Sequence, residues 1–221
     1  MKTVIRNIVA KTYKPILEKY LSRTRNYKYE DISLEIPPEV FHPGFFFSTK
    51  FLLNALKELP LSGKQLLEPG CGSGLISIYA AKKGAVVTAS DINQVAIETV
   101  KNNAATNKVK VEVVKSDLFQ ELPQREYDLI VINPPYYKKQ PLTDKDLAWQ
   151  CGENGEYFEV LFKSLANYIH DRSIVLMVLF EGCDLEMIKR YASANYFRLN
   201  CIRSQKNFLE TNFIFRIEKT K

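Results

Sequence analysis

Short apolar runs alternate with helical hydrophobic stripes along most of the chain. The apolar runs predict strands over residues 64–67, 85–90, 110–114, 127–133 and 173–180. Between them, apolar residues recur every three or four positions, which predicts helices over residues 49–59, 75–83, 93–107, 156–169 and 184–194. Such alternation of strands and helices is typical of an α/β fold.

The last part of the chain follows a different pattern. Residues 197–204 and 208–217 alternate between apolar and polar positions, which predicts a terminal hairpin. A hairpin of this kind adds an antiparallel final strand to the sheet.

The first part of the chain is basic and rich in tyrosine over residues 1–30. We predict an amphipathic helix over residues 3–21, broken near Pro15, and a short strand over residues 32–36. We interpret residues 1–47 as a helical and aromatic extension packed on the core, and residues 48–221 as the main domain.

An aromatic segment at residues 41–47 ends in three consecutive phenylalanines. Three adjacent aromatic side chains are rarely exposed without a reason. Two interpretations stay open here: the segment plugs an edge of the sheet, or it forms a lid over a bound cofactor.

The composition is that of an ordinary globular protein, with 46% hydrophobic and 25% charged residues in a chain of 221. The net charge of +6 permits RNA or an acidic partner without requiring either. The four cysteines are widely spaced and histidines are few, so we expect no metal site. The cysteine pattern also favours a reducing, cytoplasmic compartment. We expect no membrane span or signal peptide, because long apolar runs are absent and the first ten residues carry charges.

A glycine-rich loop, Glu-Pro-Gly-Cys-Gly-Ser-Gly at residues 68–74, follows the strand predicted over residues 64–67. Glycines permit a positive φ and allow a ligand to approach the backbone closely. The helix that follows the loop adds free N–H groups at its N-terminus. The leading acid, Glu68, favours a ligand with an amino group over a phosphate.

Two further strands lead to carboxylates. Asp91 follows the strand over residues 85–90, where it can accept hydrogen bonds from both hydroxyls of a ribose. Asp117 follows the next strand and can receive an adenine amino group, with Ile92 and Leu118 as apolar faces for the ring.

The most informative motif is Asn-Pro-Pro-Tyr at residues 133–136, directly after an apolar strand. The side-chain carbonyl of Asn133 and the backbone carbonyl of Pro134, held side by side, suit a planar –NH2 group with two donors. The prolines remove competing N–H groups and stiffen the turn, and the Tyr136 ring can stack on a flat amide or base. Alone, the tetrapeptide is also compatible with a simple turn at a strand end.

These motifs together make residues 48–217 resemble the class I methyltransferases that use S-adenosylmethionine (SAM). The resemblance implies an α/β, Rossmann-like fold with a seven-stranded, mostly parallel sheet. It further implies an antiparallel last strand and helices on both faces of the sheet.

The same resemblance implies roles for the cofactor residues. The glycine loop would line the methionine end of SAM, with Glu68 near its amino group, while Asp91 would hold the ribose and Asp117 the adenine edge. The predicted cofactor-binding residues are Thr49, Glu68, Gly70, Gly72, Gly74, Asp91, Ile92, Asp117, Leu118 and Asn133.

The Asn-Pro-Pro-Tyr motif is typical of amino-methyltransferases, which modify the side-chain amide of glutamine or the exocyclic amine of adenine or guanine. We therefore predict Asn133, Pro134 and Tyr136 as catalytic residues. Hydrogen bonds from the target nitrogen to Asn133 and Pro134 would strengthen as that nitrogen pyramidalises, which stabilises the transition state.

The motifs are compatible with more than one methyl acceptor. The Gly-Glu-Asn-Gly turn at residues 152–155 and the helix after it resemble the protein-glutamine N5-methyltransferases of the release-factor-modifying family, which makes a protein glutamine the first expectation. The alternative is an N6-adenine or N2-guanine RNA methyltransferase, with the basic head contacting RNA. A small-molecule amine is a further acceptor to consider. From other classes, we keep a non-catalytic SAM-binding partner subunit and a nicotinamide-linked oxidoreductase, although the latter leaves Asn-Pro-Pro-Tyr unexplained.

Overall fold

The structure, a computed structural model, describes residues 19–207 and 210–220. Residues 19–21 are helical, whereas the rest of the helix predicted over residues 3–21 lies outside the described residues.

Nine strands in the described part of the chain form a two-stranded hairpin and a seven-stranded sheet. They are β1 (Arg25–Tyr29), β2 (Ile32–Ile36), β3 (Gln65–Pro69), β4 (Val86–Asp91), β5 (Glu112–Lys115), β6 (Tyr127–Ile132), β7 (Ile169–Phe180), β8 (Phe197–Lys206) and β9 (Thr211–Lys219). The large sheet has the order β5-β4-β3-β6-β7-β9-β8, and β3 to β7 are parallel. Strand β9 runs antiparallel to both of its neighbours. The predicted seven-stranded, mostly parallel sheet with an antiparallel last strand is therefore confirmed.

Helices cover both faces of the sheet because successive side chains of a strand point to opposite sides. They are α1 (Phe47–Leu56), α2 (Leu75–Lys82), α3 (Gln94–Thr106), α4 (Asp144–Leu147), α5 (Glu156–Leu165) and α6 (Leu185–Ala194). On β6, Leu129 and Val131 belong to the core that contains α1 and α2, whereas Ile130 and Ile132 belong to the core that contains α5 and α6. The predicted helices on both faces are confirmed.

The connection from α5 to β7 differs from the sequence prediction. The pattern predicts a helix to residue 169 and a strand from residue 173, but a 3-10 turn follows α5 and β7 already begins at Ile169. Ile169 pairs with Tyr127 on β6, and the Ser173 hydroxyl donates to the Tyr127 carbonyl at 2.7 Å. This hydrogen bond connects β7 to β6 where their register is irregular. Because residues 170–172 are polar, a search for apolar runs does not detect the first part of β7.

The hairpin formed by β1 and β2 packs on the helical layer. Ile32, Leu34 and Ile36 alternate along β2 and are buried in the same core as α1 and α2. The sequence predicted β2 but not β1, whose residues alternate between partly buried and exposed. The division of the chain between residues 47 and 48 stays a prediction.

Two asparagines near the end of α3 attach this hairpin to the main domain. The Asn103 side chain accepts the Glu35 N–H at 2.9 Å and donates to the carbonyls of Glu35 and Ser73, both at 3.1 Å. The Asn107 side chain accepts the Ser33 N–H at 3.0 Å and donates to the Ser33 carbonyl at 2.7 Å. These carboxamides therefore bond to β2 much as a neighbouring strand would.

Candidate active site

A cavity of about 380 Å³ opens where β3, β4, β5 and β6 end, at the carboxyl edge of the sheet. Ligands of open α/β sheets bind at this edge. Of the predicted site residues, those lining the cavity are Thr49, Glu68, Gly70, Gly72, Asp91, Ile92, Asp117, Leu118, Asn133, Pro134 and Tyr136. The structure thus brings these side chains together, whereas Gly74 does not line the cavity.

The glycine loop presents its backbone to the cavity. Gly70 has φ +71°, and a Cβ added there would meet no atom within 4 Å. A side chain at this position would therefore project into the cavity. The Gly72 N–H donates to the Asp91 carboxylate at 2.9 Å, which ties the loop to the end of β4.

Gly74 has a packing role. It is the N-cap of α2 with φ +79°, and a Cβ there would lie 3.0 Å from Val100 Cγ2 on α3. A glycine is needed for this close approach between the two helices. The predicted contact of Gly74 with the cofactor stays a prediction.

The Gly74→Ala variant is expected to lose about 2–4 kcal/mol of unfolding free energy, because it combines a positive φ with a steric overlap. Gly63→Ala is the matched control, since Gly63 has φ +73° and its added Cβ would meet no atom within 4 Å. This control should lose only about 1 kcal/mol. Urea unfolding of both variants checks the difference, and equal losses would show that contact with Val100 is unimportant.

Asp91 is held with both carboxylate oxygens pinned by the backbone. One oxygen accepts the Gly72 N–H at 2.9 Å and the other accepts the Asn93 N–H at 3.0 Å. Burial raises the pKa of Asp91, although these hydrogen bonds favour the ionised form. Each oxygen keeps a second lone pair, which suits a pair of vicinal hydroxyls.

Glu68 is a buried acid at the end of β3. Its carboxyl group accepts hydrogen bonds from the N–H of Ser77, at 2.8 Å, and from the Ser77 hydroxyl. Burial raises the pKa of Glu68 to about 8, against the Ser77 hydrogen bonds that lower it, and the nearby Asp91 raises it further. A cationic amino group in the cavity would favour the ionised form of this acid.

The Glu68→Gln variant should change the pH dependence of stability in the absence of SAM. Because the pKa of Glu68 is about 8 in the folded protein and 4.5 ordinarily, the folded state keeps a proton that the unfolded state releases between these values. This contribution is fully present below pH 4.5 and is lost as the pH rises through 8. We expect the wild type to lose several kcal/mol more than the variant between about pH 5 and 8.5 in urea unfolding. Parallel pH curves would contradict the protonated state of Glu68.

The adenine side of the predicted site lies after β5. Asp117 is exposed as a residue, but its carboxyl group is partly buried, and this burial, together with the neighbouring Glu121, raises its pKa. Leu118 has φ 52°, an uncommon value for a residue with a side chain. Ile92, which also lines the cavity, is 38% exposed, so its apolar side chain is available to contact a bound ring. These positions fit a flat ring with an amino edge.

The Asn-Pro-Pro-Tyr motif forms the other end of the cavity. The Asn133 Nδ2 donates to the Thr49 hydroxyl at 3.3 Å, so its carbonyl oxygen remains available as an acceptor. The Tyr136 ring packs edge to face on Phe180, with ring centroids 4.7 Å apart. Thr49, predicted only as a cofactor contact, therefore also orients Asn133.

Sequence reasoning missed an aromatic wall made of Phe41, Phe46 and Trp149. The three rings lie 4.7 to 5.1 Å apart, and Phe41 and Trp149 line the cavity. The Trp149 carbonyl accepts the N–H groups of Tyr136, at 3.0 Å, and Tyr137, at 2.8 Å, so the loop folds back over the motif. The sole tryptophan of the chain, placed in a polar loop, was the available signal. These contacts favour the lid interpretation of the aromatic segment.

The residues present fit SAM. The cavity combines an acceptor pair for a ribose at Asp91, a buried acid for an amino group at Glu68, and exposed backbone at Gly70. Within the described residues, no cluster of three or more side chains could hold a metal ion, and no helix is long and apolar enough to cross a membrane.

Comparison with known proteins decides the family. The model of the methyltransferase small domain family matches residues 34–155, which is more than half of the chain. The chain belongs to this family. It is a SAM-dependent methyltransferase, and SAM is its cofactor.

Relatives of this methyltransferase are named for different acceptors. It is 36% identical over 153 residues to a proposed protein N5-glutamine methyltransferase of Methanocaldococcus jannaschii, covering 66% of this chain and 75% of that one. It is 34% identical over 134 residues to the ribosomal RNA small subunit methyltransferase C of Hamiltonella defensa, covering 60% of this chain and 39% of that one.

Among solved structures, the methyltransferase resembles a chain of the E. cuniculi Mtq2–Trm112 complex, which is responsible for methylation of the eRF1 translation termination factor. The TM-score is 0.63 at 23% identity, covering 82% of this chain and 99% of that one. At this identity the likeness shows the fold alone. Membership of this family supports a methyltransferase, and not the two alternatives considered from the sequence, a non-catalytic SAM-binding subunit and a nicotinamide-linked oxidoreductase.

Proposed function

We propose that this methyltransferase transfers a methyl group from SAM to the side-chain amide nitrogen of a glutamine in a protein. The observation that carries the proposal is the Asn133 carboxamide, oriented by Thr49 and facing a cavity that also holds the predicted SAM contacts. The relative named as a proposed N5-glutamine methyltransferase supports the choice of acceptor, and the match covers 75% of the length of that relative.

The acceptor amide is a weak nucleophile because its nitrogen lone pair is delocalised. The Asn133 side-chain oxygen and the Pro134 carbonyl would accept its two N–H groups. Asn133 and Pro134 are each followed by a proline, which has no N–H to compete for these oxygens. As the nitrogen pyramidalises, its hydrogens become more acidic and these hydrogen bonds strengthen, so they stabilise the transition state more than the ground state.

SAM, when bound, supplies an electrophilic methyl group on a sulfonium. The protein's part is therefore mainly alignment of the amide nitrogen and exclusion of water. Burial raises the pKa of Tyr136 well above its ordinary value, so the phenol stays neutral and serves as a packing surface for the amide. No early general base is required, because the nitrogen loses its proton readily once methylated.

The test is transfer of labelled methyl from SAM into an extract of cells that lack the protein. We expect label in the protein fraction, sensitive to protease. Acid hydrolysis should release this label as methylammonium, which becomes volatile methylamine once the hydrolysate is made alkaline, as N5-methylglutamine requires. Label in a fraction sensitive to ribonuclease would overturn the proposal and favour the RNA alternative, which the ribosomal RNA relative supports.

A further inference from the structure

A second cavity of about 870 Å³ adjoins the first. It is lined by residues 21–23, by the segment after β2 and by the loop after the Asn-Pro-Pro-Tyr motif. Residues that line both cavities are Glu39, Val40, Phe41, Ala148, Trp149 and Gln150. The two spaces therefore share a boundary, and nothing in the proposed cofactor site uses the second one.

The aromatic wall forms much of this boundary. Phe41 and Trp149 face both cavities, and Phe46 lines only the second. The rings contact one another edge to face or tilted, with centroids 4.7 to 5.1 Å apart. Rotation of side chains can open such a boundary without breaking a strand or a helix.

Gln150 lies at the same boundary with an unused acceptor. Its Nε2 donates to the Asp146 carboxylate at 3.0 Å, and because a carboxylate can only accept, this fixes the orientation of the carboxamide. Its side-chain oxygen is buried, and no described residue donates a hydrogen bond to it. An unpaired buried acceptor is costly, so an N–H group that reaches the boundary would be stabilised there.

Among the residues that the structure describes, the charged side chains lining the second cavity are balanced. Arg23 and Lys139 contribute positive charge, whereas Glu39 and Asp146 contribute negative charge. Hydrogen bonds from the Leu142–Thr143 segment lower the pKa of Asp146, so it is ionised at neutral pH. A nucleic-acid backbone needs a surplus of cations, while a polypeptide with apolar side chains and N–H donors fits a neutral, partly aromatic cavity.

We propose that the second cavity binds the polypeptide that flanks the acceptor glutamine, and that the glutamine side chain crosses the aromatic wall to reach Asn133. This inference rests on the proposed function. It assigns the flanking sequence to a site separate from the one that holds SAM.

The experiment obstructs the second cavity from a position that does not line the first. Ser22 is exposed and lines only the second cavity, and its hydroxyl donates to the Lys19 carbonyl at 2.8 Å. Ser22→Phe replaces this hydroxyl with a ring among the lining residues of the second cavity. Ser193→Phe is the matched control, on the exposed face of α6 and outside both cavities. The probes are a pool of peptides of about nine residues with a central glutamine and random flanks, and N-acetylglutamine amide as an acceptor without flanks. Since neither variant adds a tryptophan, Trp149 fluorescence reports SAM binding in each.

We expect Ser22→Phe to lower kcat/KM for the peptide pool about tenfold or more. The same variant should leave kcat/KM for the short acceptor and the dissociation constant of SAM within about twofold, and Ser193→Phe should change none of these values. If the enzyme methylates both acceptors and Ser22→Phe affects them equally or not at all, the second cavity is not the flanking site, although the proposed function stands. If the wild type binds SAM but methylates RNA and neither glutamine acceptor, the proposed function fails and this occupant fails with it.

Discussion

Asn133→Ala is expected to reduce turnover at saturating SAM by about 100-fold or more while leaving the dissociation constant of SAM within about twofold. The variant removes the acceptor oxygen that Thr49 orients toward the cavity, and leaves the Asp91 and Glu68 groups in place. Loss of an oriented partner for developing charge acts on the transition state, so kcat falls rather than the affinity for SAM. Labelled-methyl transfer into the acceptor fraction and calorimetry with SAM measure the two quantities.

Two further variants make this result specific. Asn200→Ala removes an exposed asparagine of β8 and should leave turnover unchanged. Thr49→Val preserves shape but removes the hydroxyl that receives the Asn133 N–H, so an intermediate loss of about tenfold is expected. Full activity of Asn133→Ala would refute the role of this residue.

Asp91→Ala is expected to weaken SAM binding by at least about tenfold, or 1.4 kcal/mol. The carboxylate would lose its hydrogen bonds to the ribose hydroxyls, and charge-assisted hydrogen bonds contribute about 1.5–3 kcal/mol each. The loop also loses support, because the Gly72 and Asn93 N–H groups lose their acceptor. Calorimetric titration with SAM measures the change.

The matched control for this variant is Asp171→Ala, at an exposed aspartate in β7, which should bind SAM like the wild type. At saturating SAM, Asp91→Ala should recover turnover to within a few-fold of the wild type, because Asp91 lies on β4 and the acceptor contacts follow β6. Unchanged SAM affinity in Asp91→Ala would remove the ribose role from this residue.

Much of the candidate site could be predicted from the sequence, because residues at the carboxyl ends of parallel strands lie close together in the fold. Asp91 and Asn133 are 42 positions apart, yet Asp91 ends β4 and Asn133 directly follows β6, and the carboxyl ends of parallel strands share one edge of the sheet. Hydrophobic periodicity located those strands, and the residues after them could then be placed together. The glycine loop followed from the same reasoning, although the position of Gly74 did not.

The features that the sequence did not predict depend on contacts between distant segments. Gly74 faces Val100, a residue of another helix, and no local pattern indicates that approach. The raised pKa of Glu68 arises from burial that the whole site creates. The aromatic wall joins Phe41 to Trp149, more than 100 positions away, so each ring alone carried no sign of its partner. Strand β1 was not predicted for a related reason: its residues are partly buried or exposed, and they show no clear alternation of apolar and polar side chains.

One side chain, Asn103, makes the hairpin and the cofactor loop a single cooperative unit. It is 2% exposed and bonds at once to Glu35 of β2 and to Ser73 of the glycine loop. An opening that releases either segment leaves a buried carboxamide short of partners, so the free-energy cost of separating one falls on both. A shortened protein that begins after β2 would consequently lose the hydrogen bonds between Asn103 and Glu35, and the glycine loop around the methyl donor would be less firmly held.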